Sequence, residues 1–164
     1  MPKNHKACPP SEAALLPPEV QGLVDNFRLE NVASHLLRRA HFQAEDMFHQ
    51  EFFEESLTPR QKASLVVVAQ HPGLTQNALA THLAMDRNTV GDIVKRLCAN
   101  ALLTRYRASD DQRAYKLYIS EAGAELLGRV LPRDADIEQR LLDRLPKELQ
   151  PLFVKCLKLI VGLE

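Results

Sequence analysis

The stretch LAMDRNTVGDIVKRL, residues 83–97, has the apolar spacing of a helix and yet carries Gly91 in its interior. Glycine costs a helix about 1 kcal/mol relative to alanine, so its presence there needs a reason. A helical wheel separates an apolar face from a face of small or polar side chains. The apolar face holds Val90, Ile93, Val94 and Leu97, and the opposite face holds Asn88, Asp92, Lys95 and Ala99.

The polar face of this helix is suited to the major groove of DNA. An amide, a carboxylate and an ammonium group can recognise adenine, the cytosine amino group and guanine, and Asn88, Asp92 and Lys95 supply these groups in that order. Gly91 would then let the backbone approach the duplex closely. The alternative is an ordinary solvated helix face, in which Gly91 packs against the preceding helix.

The segments before this helix predict two further helices. Thr58 and Pro59 are typical of a helix start, and that helix is expected to end before Pro72. Thr75 is expected to cap a short helix, and Asp86 is expected to cap the helix quoted above. Two short helices joined by about three residues predict a helix-turn-helix.

The segments after the helix predict a basic β-hairpin. LLTRYR at 102–107 and YKLYIS at 115–120 are typical of strands, and the polar run ASDDQRA at 108–114 is expected to form the tip. Asp111 can orient the Arg113 guanidinium, which suits a narrow minor groove. A solvated turn is the alternative, but a helix-turn-helix followed by a basic hairpin predicts a winged helix.

The flanking segments predict long helices. From Gly22 to Glu55 we expect one amphipathic helix of about 50 Å, at 1.5 Å per residue, which needs a partner surface such as a second copy of the chain. Residues 1–20 are expected to form a loose tail. We expect Pro132 to kink or break the helix that follows the hairpin, and Pro151 to make the last helix less regular.

Composition and charge narrow the class of protein. Hydrophobic residues make up 45% and charged residues 26% of the 164 residues, as in ordinary globular domains. Residues 57–119 contain nine Lys or Arg against four Asp or Glu, whereas the net charge of the chain is zero. A basic middle region indicates an anionic partner. With no apolar run of membrane-spanning length and no signal-peptide core, we expect a cytoplasmic protein with no membrane partner.

The motifs LTPRQ, HPGLTQNALA, MDRNTVGDIVKRL, DDQRA and SEAG, in this order and spacing, resemble the MarR family of bacterial transcriptional regulators. The resemblance implies a mainly α fold with a small β-hairpin wing. It implies a winged helix-turn-helix at 57–119, a dimerisation region at 21–56 and 120–164, and a flexible N-terminal tail at 1–20. It further implies a homodimer that binds a pseudo-palindromic operator in double-stranded DNA, usually as a repressor.

Two positions depart from the family pattern. The turn between the two helices has Ala84 where a glycine is usual. The end of the recognition helix has Asn100, which we expect to adopt the left-handed conformation in place of a glycine.

The candidate DNA contacts lie on the helix-turn-helix and on the wing. They are Thr75, Gln76, Arg87, Asn88, Thr89, Gly91, Asp92, Lys95, Arg107, Asp111 and Arg113. No catalytic residue is predicted, because the chain contains no phosphate-binding glycine loop, nucleophile elbow or paired-acid motif. An enzyme is therefore not expected.

The resemblance implies release by a small-molecule effector, with no cofactor required. Arg39, His41, Phe48 and Phe52 are the candidate ligand-binding residues, since aromatic walls with an arginine or histidine suit an aromatic carboxylate or a phenolic compound. The alternative for each is a place in the core or in the dimer seam.

Three alternatives for the signal remain open. His41, Glu45 and His49 share one helix face and could contribute to a metal site, although no metal site is assigned. Cys8 or Cys98 could sense oxidants, whereas Cys156 is expected in the core. A ligand-free architectural DNA-binding protein is the third alternative.

Overall fold

The structure is a computed structural model that describes residues 16–107 and 115–163. The chain divides into two units, Met1–Ala40 and His41–Glu164. The predicted tip of the hairpin, with Asp111 and Arg113, and the cysteine at position 8 lie outside the described residues. Among those that are described, no helix is both long enough and apolar enough to cross a bilayer.

Residues 18–51 form two helices separated by a short turn. Helix α1 spans Pro18–Asn26, a 3-10 turn spans Leu29–Asn31, and helix α2 spans Ala33–Glu51. The prediction of one continuous helix from Gly22 to Glu55 is therefore wrong.

Side chains at the end of α1 explain why that helix stops. The Asn26 amide donates to the Gly22 carbonyl at 2.7 Å, and the Arg28 guanidinium donates to the Asp25 carbonyl at 2.6 Å. The second bond satisfies a carbonyl group of the last turn, whose donor in a longer helix would be the amide of Leu29. Periodicity alone does not reveal such side-chain competition.

Three helices of the second unit begin at the predicted caps. Helices α3, α4 and α5 span Pro59–Gln70, Gln76–His82 and Arg87–Ala99. Thr58 and Gln61 form a reciprocal capping box, with bonds of 2.9 and 3.2 Å. Thr75 caps α4 and Asp86 caps α5, as their sequence context predicts.

Two alanines adopt the left-handed conformation at turns. Ala84, between α4 and α5, has φ +49°, and the Met85 amide donates across the turn to the Ala80 carbonyl at 3.0 Å. After α5 the left-handed residue is Ala101, with φ +56°. The prediction for Asn100 is wrong, because Asn100 has φ −86° and ends the helix through its amide bond to Arg96.

The hairpin consists of β1, Leu103–Arg107, and β2, Tyr115–Ile119, which pair antiparallel. On its other edge β2 bonds to the segment before α4. The Gly73 amide donates to the Leu117 carbonyl at 2.8 Å, and the Leu117 amide donates to the Leu74 carbonyl at 2.9 Å. These bonds attach the hairpin to the helix-turn-helix.

Helix α6 spans Glu121–Leu142 and continues through Pro132. A break at Pro132 is therefore wrong, whereas a kink there stays a prediction. Loss of one amide donor is offset by the contacts that Arg133 makes with α2 and Asp134 makes with α3. Gly123 near the helix start is required by packing, because a Cβ there would lie 2.2 Å from the Leu102 carbonyl oxygen. The hydroxyl of Ser120 caps the helix.

Helix α7 spans Gln150–Val161 after a 3-10 turn at Lys147–Leu149. Pro151 lies in its first turn, where an amide hydrogen has no partner within the helix, so the helix is regular despite the proline. No residue of α7 is buried.

The core of the second unit lies where α3, α5, α6 and the hairpin meet. Leu65, Val68, Val90, Val94 and Leu117 are all fully inaccessible to solvent. The hydrophobic effect of burying them fixes α5 by one face and leaves its opposite face to solvent.

Candidate nucleic-acid interface

The two faces of α5 lie as the helical wheel predicts. Val90, Ile93, Val94 and Leu97 are buried in the core. The opposite side chains, which are Arg87, Asn88, Asp92, Lys95 and Arg96, are exposed. An uninterrupted polar surface therefore runs along the helix, with amide, carboxylate, ammonium and guanidinium groups open to a partner.

The first turn of α5 is fixed by Asp86 and Thr89. The Asp86 carboxylate accepts from the Thr89 amide at 2.9 Å and from the Thr89 hydroxyl at 2.5 Å. These bonds, the hydroxyl bond foremost, lower the pKa of Asp86 below its ordinary value of 3.8. The Thr89 side chain thus serves the cap, and its role as a DNA contact stays a prediction.

Gly91 is not required by packing within the protein. A Cβ built at this position would meet no atom within 4 Å. The alternative that Gly91 packs against the preceding helix is therefore wrong. The glycine leaves a shallow, open stretch on the exposed side of α5, between Asn88 and Lys95, which is consistent with close approach by a large ligand.

Thr75 and Gln76 lie where α4 meets the hairpin. The Thr75 hydroxyl accepts from the Ala78 amide at 3.2 Å, and its backbone pairs with Lys116 of β2. Gln76 is half-buried at the start of the helix. Both residues therefore lie next to the base of the wing, and their contacts with DNA stay a prediction.

The outer part of the hairpin carries an organised group of cations. Arg107 is exposed at the end of β1, directly opposite Tyr115. A hydrogen bond from Arg107, with smaller contributions from nearby charge, lowers the pKa of the Tyr115 phenol. The Arg105 guanidinium lies over the Tyr115 ring, 4.9 Å from its centroid. Sequence reasoning treated these residues separately, although their cross-strand register could have joined them.

The four candidate ligand-binding residues do not form one site. Phe48 and Phe52 are buried in the core, with ring centroids 4.5 Å apart. Lys62 lies over the Phe48 ring and Arg133 lies over the Phe52 ring. Arg39 and His41 are exposed, and His41 lies 3.4 Å from Glu45. Phe48 and Phe52 therefore occupy the core, which was the alternative to a place in a ligand site.

A cleft of about 390 Å³ lies elsewhere, between α2, the start of α3 and α5. Its polar lining residues include Glu45, His49, Arg60, Thr89, Asp92 and Arg96. Sequence reasoning did not find this site, because three separate segments supply its walls. Its position beside α5 means that an occupant would contact the helix that carries the candidate base-reading groups, and Asp92 belongs to both sets.

Metal and thiol chemistry gain no support from the geometry. Within residues 16–107 and 115–163, no three His, Cys, Asp or Glu side chains come together as metal ligands. Cys98 is half-buried, and burial raises the pKa of its thiol despite the nearby charge of Arg105. Cys156 is exposed in the protomer, so its predicted core position is wrong.

Comparisons with known proteins agree on one family. The MarR family model matches residues 55–114. The putative transcriptional regulatory protein for the hcr operon of Thauera aromatica is 34% identical over 93 residues, which are 54% of this chain and 56% of that protein. The chain therefore spans little more than half the length of that curated relative.

Solved structures extend the similarity over most of the chain. A probable transcriptional regulator from Pseudomonas aeruginosa has a TM-score of 0.74 at 30% identity, and the match covers 81% of this chain and 99% of that one. The PcaV transcriptional regulator from Streptomyces coelicolor, in complex with its natural ligand, has a TM-score of 0.75 at 25% identity, covering 83% and 96% of the two chains.

Proposed function

This chain belongs to the MarR family of transcriptional regulators, and from that premise we propose that it is a homodimeric repressor released from its operator by a small aromatic acid. The single observation that supports DNA binding most strongly is the exposed face of α5. Asn88, Asp92 and Lys95 point to solvent there, and Gly91 leaves room for the floor of a major groove. The family consists of DNA-binding regulators and not of enzymes.

The exposed apolar helices support a dimer. Leu152 and Leu159 lie seven residues apart on one side of α7, and Leu163 follows the end of that helix; all three are more than half exposed. In the other unit, Leu23 and Phe27 of the α1 region are exposed to a similar degree. Apolar surface of this extent needs a covering partner, and a second copy supplies one by symmetry. Two copies would read half-sites about one helical turn, ~34 Å, apart.

Light scattering tests the dimer with a matched pair of variants. We expect Leu159→Glu to give a monomeric mass, because it places a charge on that apolar side of α7. Lys158→Glu, on the neighbouring side of the same helix, is expected to remain a dimer. A monomeric wild type at micromolar concentration contradicts the dimer proposal.

The cleft beside α5 supports an effector of the aromatic-acid class. Arg60 and Arg96 offer guanidinium groups that suit a carboxylate, and His49 offers a further polar contact. Glu45 and Asp92 can accept hydrogen bonds from a ring hydroxyl. A hydroxylated aromatic carboxylate satisfies both sets, so it is the class of effector we assign to this cleft.

Operator selection tests the DNA-binding part of the proposal. Selection from random duplexes with the full chain is expected to yield a pseudo-palindrome. Asn88→Ala and Asp92→Ala should change base preference more than total affinity, whereas Arg113→Ala should weaken binding to all sequences. Glu138→Ala, at an exposed position of α6, is the control and should bind as wild type. A uniform loss with Asn88→Ala contradicts direct readout by α5.

A thermal-shift screen with hydroxylated benzoic acids tests the effector part. A ligand that binds the folded state raises its melting temperature, and here it should also lower operator affinity. Arg60→Gln should remove both responses and leave basal DNA binding intact, while Arg129→Gln on α6 should preserve them. Operator binding that no acid alters favours the ligand-free architectural alternative.

A further inference from the structure

Tyr115 holds two guanidinium groups in fixed positions at the outer part of the hairpin. The Arg105 guanidinium lies 4.9 Å from its ring centroid, and Arg107 lies directly opposite it on the facing strand, close enough to lower the pKa of its phenol by hydrogen bonding. Arginine side chains have high rotational entropy, which is lost when they bind a partner. A tyrosine that fixes two of them in advance reduces that cost for any anion they bind.

The hairpin register places this cluster on the side of the wing that faces α5. Arg105 is directly opposite Leu117, so the two side chains share one face of the hairpin. Leu117 is fully buried in the core on that face. The charge of Arg105 is also close enough to Cys98 of α5 to oppose the burial that raises the pKa of its thiol. The cluster therefore lies in the angle between the recognition helix and the wing.

When the protein binds a duplex, the space between α5 and the wing faces one phosphodiester strand. A major groove and the adjacent minor groove are separated by one phosphodiester strand. A protein with α5 in one groove and its wing in the other must straddle that strand. The ten residues of the two strands include Arg105, Arg107 and Lys116 and no carboxylate, so their charge complements phosphate.

We propose that Tyr115 is a positioning residue that presents Arg105 and Arg107 to the phosphodiester strand between the two grooves. The inference rests on the proposed function. It adds Arg105 as a contact, assigns both Arg105 and the candidate contact Arg107 to phosphate, and names the residue that orders them. The Arg107 contact depends on the tyrosine hydroxyl, whereas the Arg105 contact depends on the ring. Phosphate contacts set affinity and register and carry no base preference.

The salt dependence of operator binding tests this proposal in the full-length dimer. For B-DNA the slope of log affinity against log salt is negative, and its magnitude falls by about 0.9 for each phosphate that the protein no longer neutralises. We expect Tyr115→Phe to reduce this magnitude by about 0.9 and Tyr115→Leu to reduce it by about twice that amount. Arg105→Gln and Arg107→Gln should each give the single effect, and Tyr115→Phe should add nothing to Arg107→Gln.

Matched controls separate positioning from folding. Tyr106→Phe removes a hydroxyl from an exposed tyrosine on the other face of the same hairpin, and it should leave the slope unchanged. All variants should select the wild-type operator sequence. A wild-type slope for Tyr115→Leu, or an altered base preference, overturns the inference while leaving the proposed function in place. A wild-type protein that binds no duplex overturns both.

Discussion

The Lys62 ammonium lies 2.5 Å from the Asp134 carboxylate, which joins α3 to α6. Both side chains are more than four-fifths buried, and Lys62 also lies over the Phe48 ring. The adjacent Arg133 contacts Glu51, the last residue of α2, and Glu55, which lies in the turn that follows. Two consecutive residues after Pro132 thus attach α6 to both neighbouring helices, which explains why α6 holds together at the proline.

We expect Lys62→Met to lower the free energy of unfolding by about 2 kcal/mol, because it leaves a largely buried carboxylate without its cation. Urea denaturation measures the change. The double variant Lys62→Met/Asp134→Leu should be more stable than the single variant, since no charge remains unpaired. If the loss in the double variant equals the sum of the losses in Lys62→Met and Asp134→Leu, the two groups do not interact.

Gly91→Ala is expected to separate stability from function. Alanine should raise the free energy of unfolding by up to about 1 kcal/mol, because the site is helical and the new methyl group meets no atom. The same methyl group should weaken operator binding, since it lies on the face assigned to the major groove. Denaturation and gel-shift titration at one salt concentration measure the two effects.

Gly128→Ala is the matched control for this substitution. Gly128 is also within a helix and also has open space around its Cβ position, but it lies on α6. It should give a similar gain in stability with unchanged operator affinity. Equal DNA binding by wild type and Gly91→Ala would argue against close approach of α5 to the duplex.

Ala84→Gly is expected to stabilise the protein. Ala84 has φ +49°, a conformation that costs an L-residue about 1–2 kcal/mol and glycine almost nothing. Part of the gain is offset by the greater freedom of glycine in the unfolded chain, so we expect a net increase of about 0.5–1 kcal/mol. Ala99→Gly, at a helical position, should lose about 1 kcal/mol in the same thermal or urea assay. A destabilised Ala84→Gly variant contradicts the strain assigned to this turn.

The parts of the fold that local chemistry determines could be predicted from the sequence. Thr58, Thr75 and Asp86 each cap a helix as predicted, because a cap depends on residues only three positions apart. The inward face of α5 was also predicted, since helical periodicity fixes which side chains share a side.

The parts that distant contacts determine could not be predicted. The break after Asn26 depends on individual side-chain bonds to the backbone, and the continuity of α6 depends on the contacts of Arg133 and Asp134 with other helices. Phe48 and Phe52 could have lined a ligand site by spacing alone, yet both are buried. The cleft beside α5 is lined by three separate segments, so no pattern within a single segment predicts it.

The cap of α5 gives the protein a defined pH dependence. Hydrogen bonds from Thr89 stabilise the charged form of Asp86, so its pKa in the folded state lies below the ordinary value of 3.8. A carboxyl group with a lowered pKa contributes stability above the unfolded pKa, and that contribution is lost as the pH falls through the folded pKa. The charged cap also interacts favourably with the helix N-terminus.

Asp86→Asn tests this dependence, because asparagine caps helices well but does not titrate. We expect wild type to exceed Asp86→Asn in free energy of unfolding at neutral pH, with the difference shrinking as the pH falls below 3.8. Thr89→Val removes the hydroxyl donor and brings the folded pKa of Asp86 closer to its unfolded value, so the pH-dependent loss of stability in that variant should be smaller and complete at higher pH. Urea denaturation across the acidic range measures all three proteins, and a difference between wild type and Asp86→Asn that stays constant with pH would contradict the charged cap.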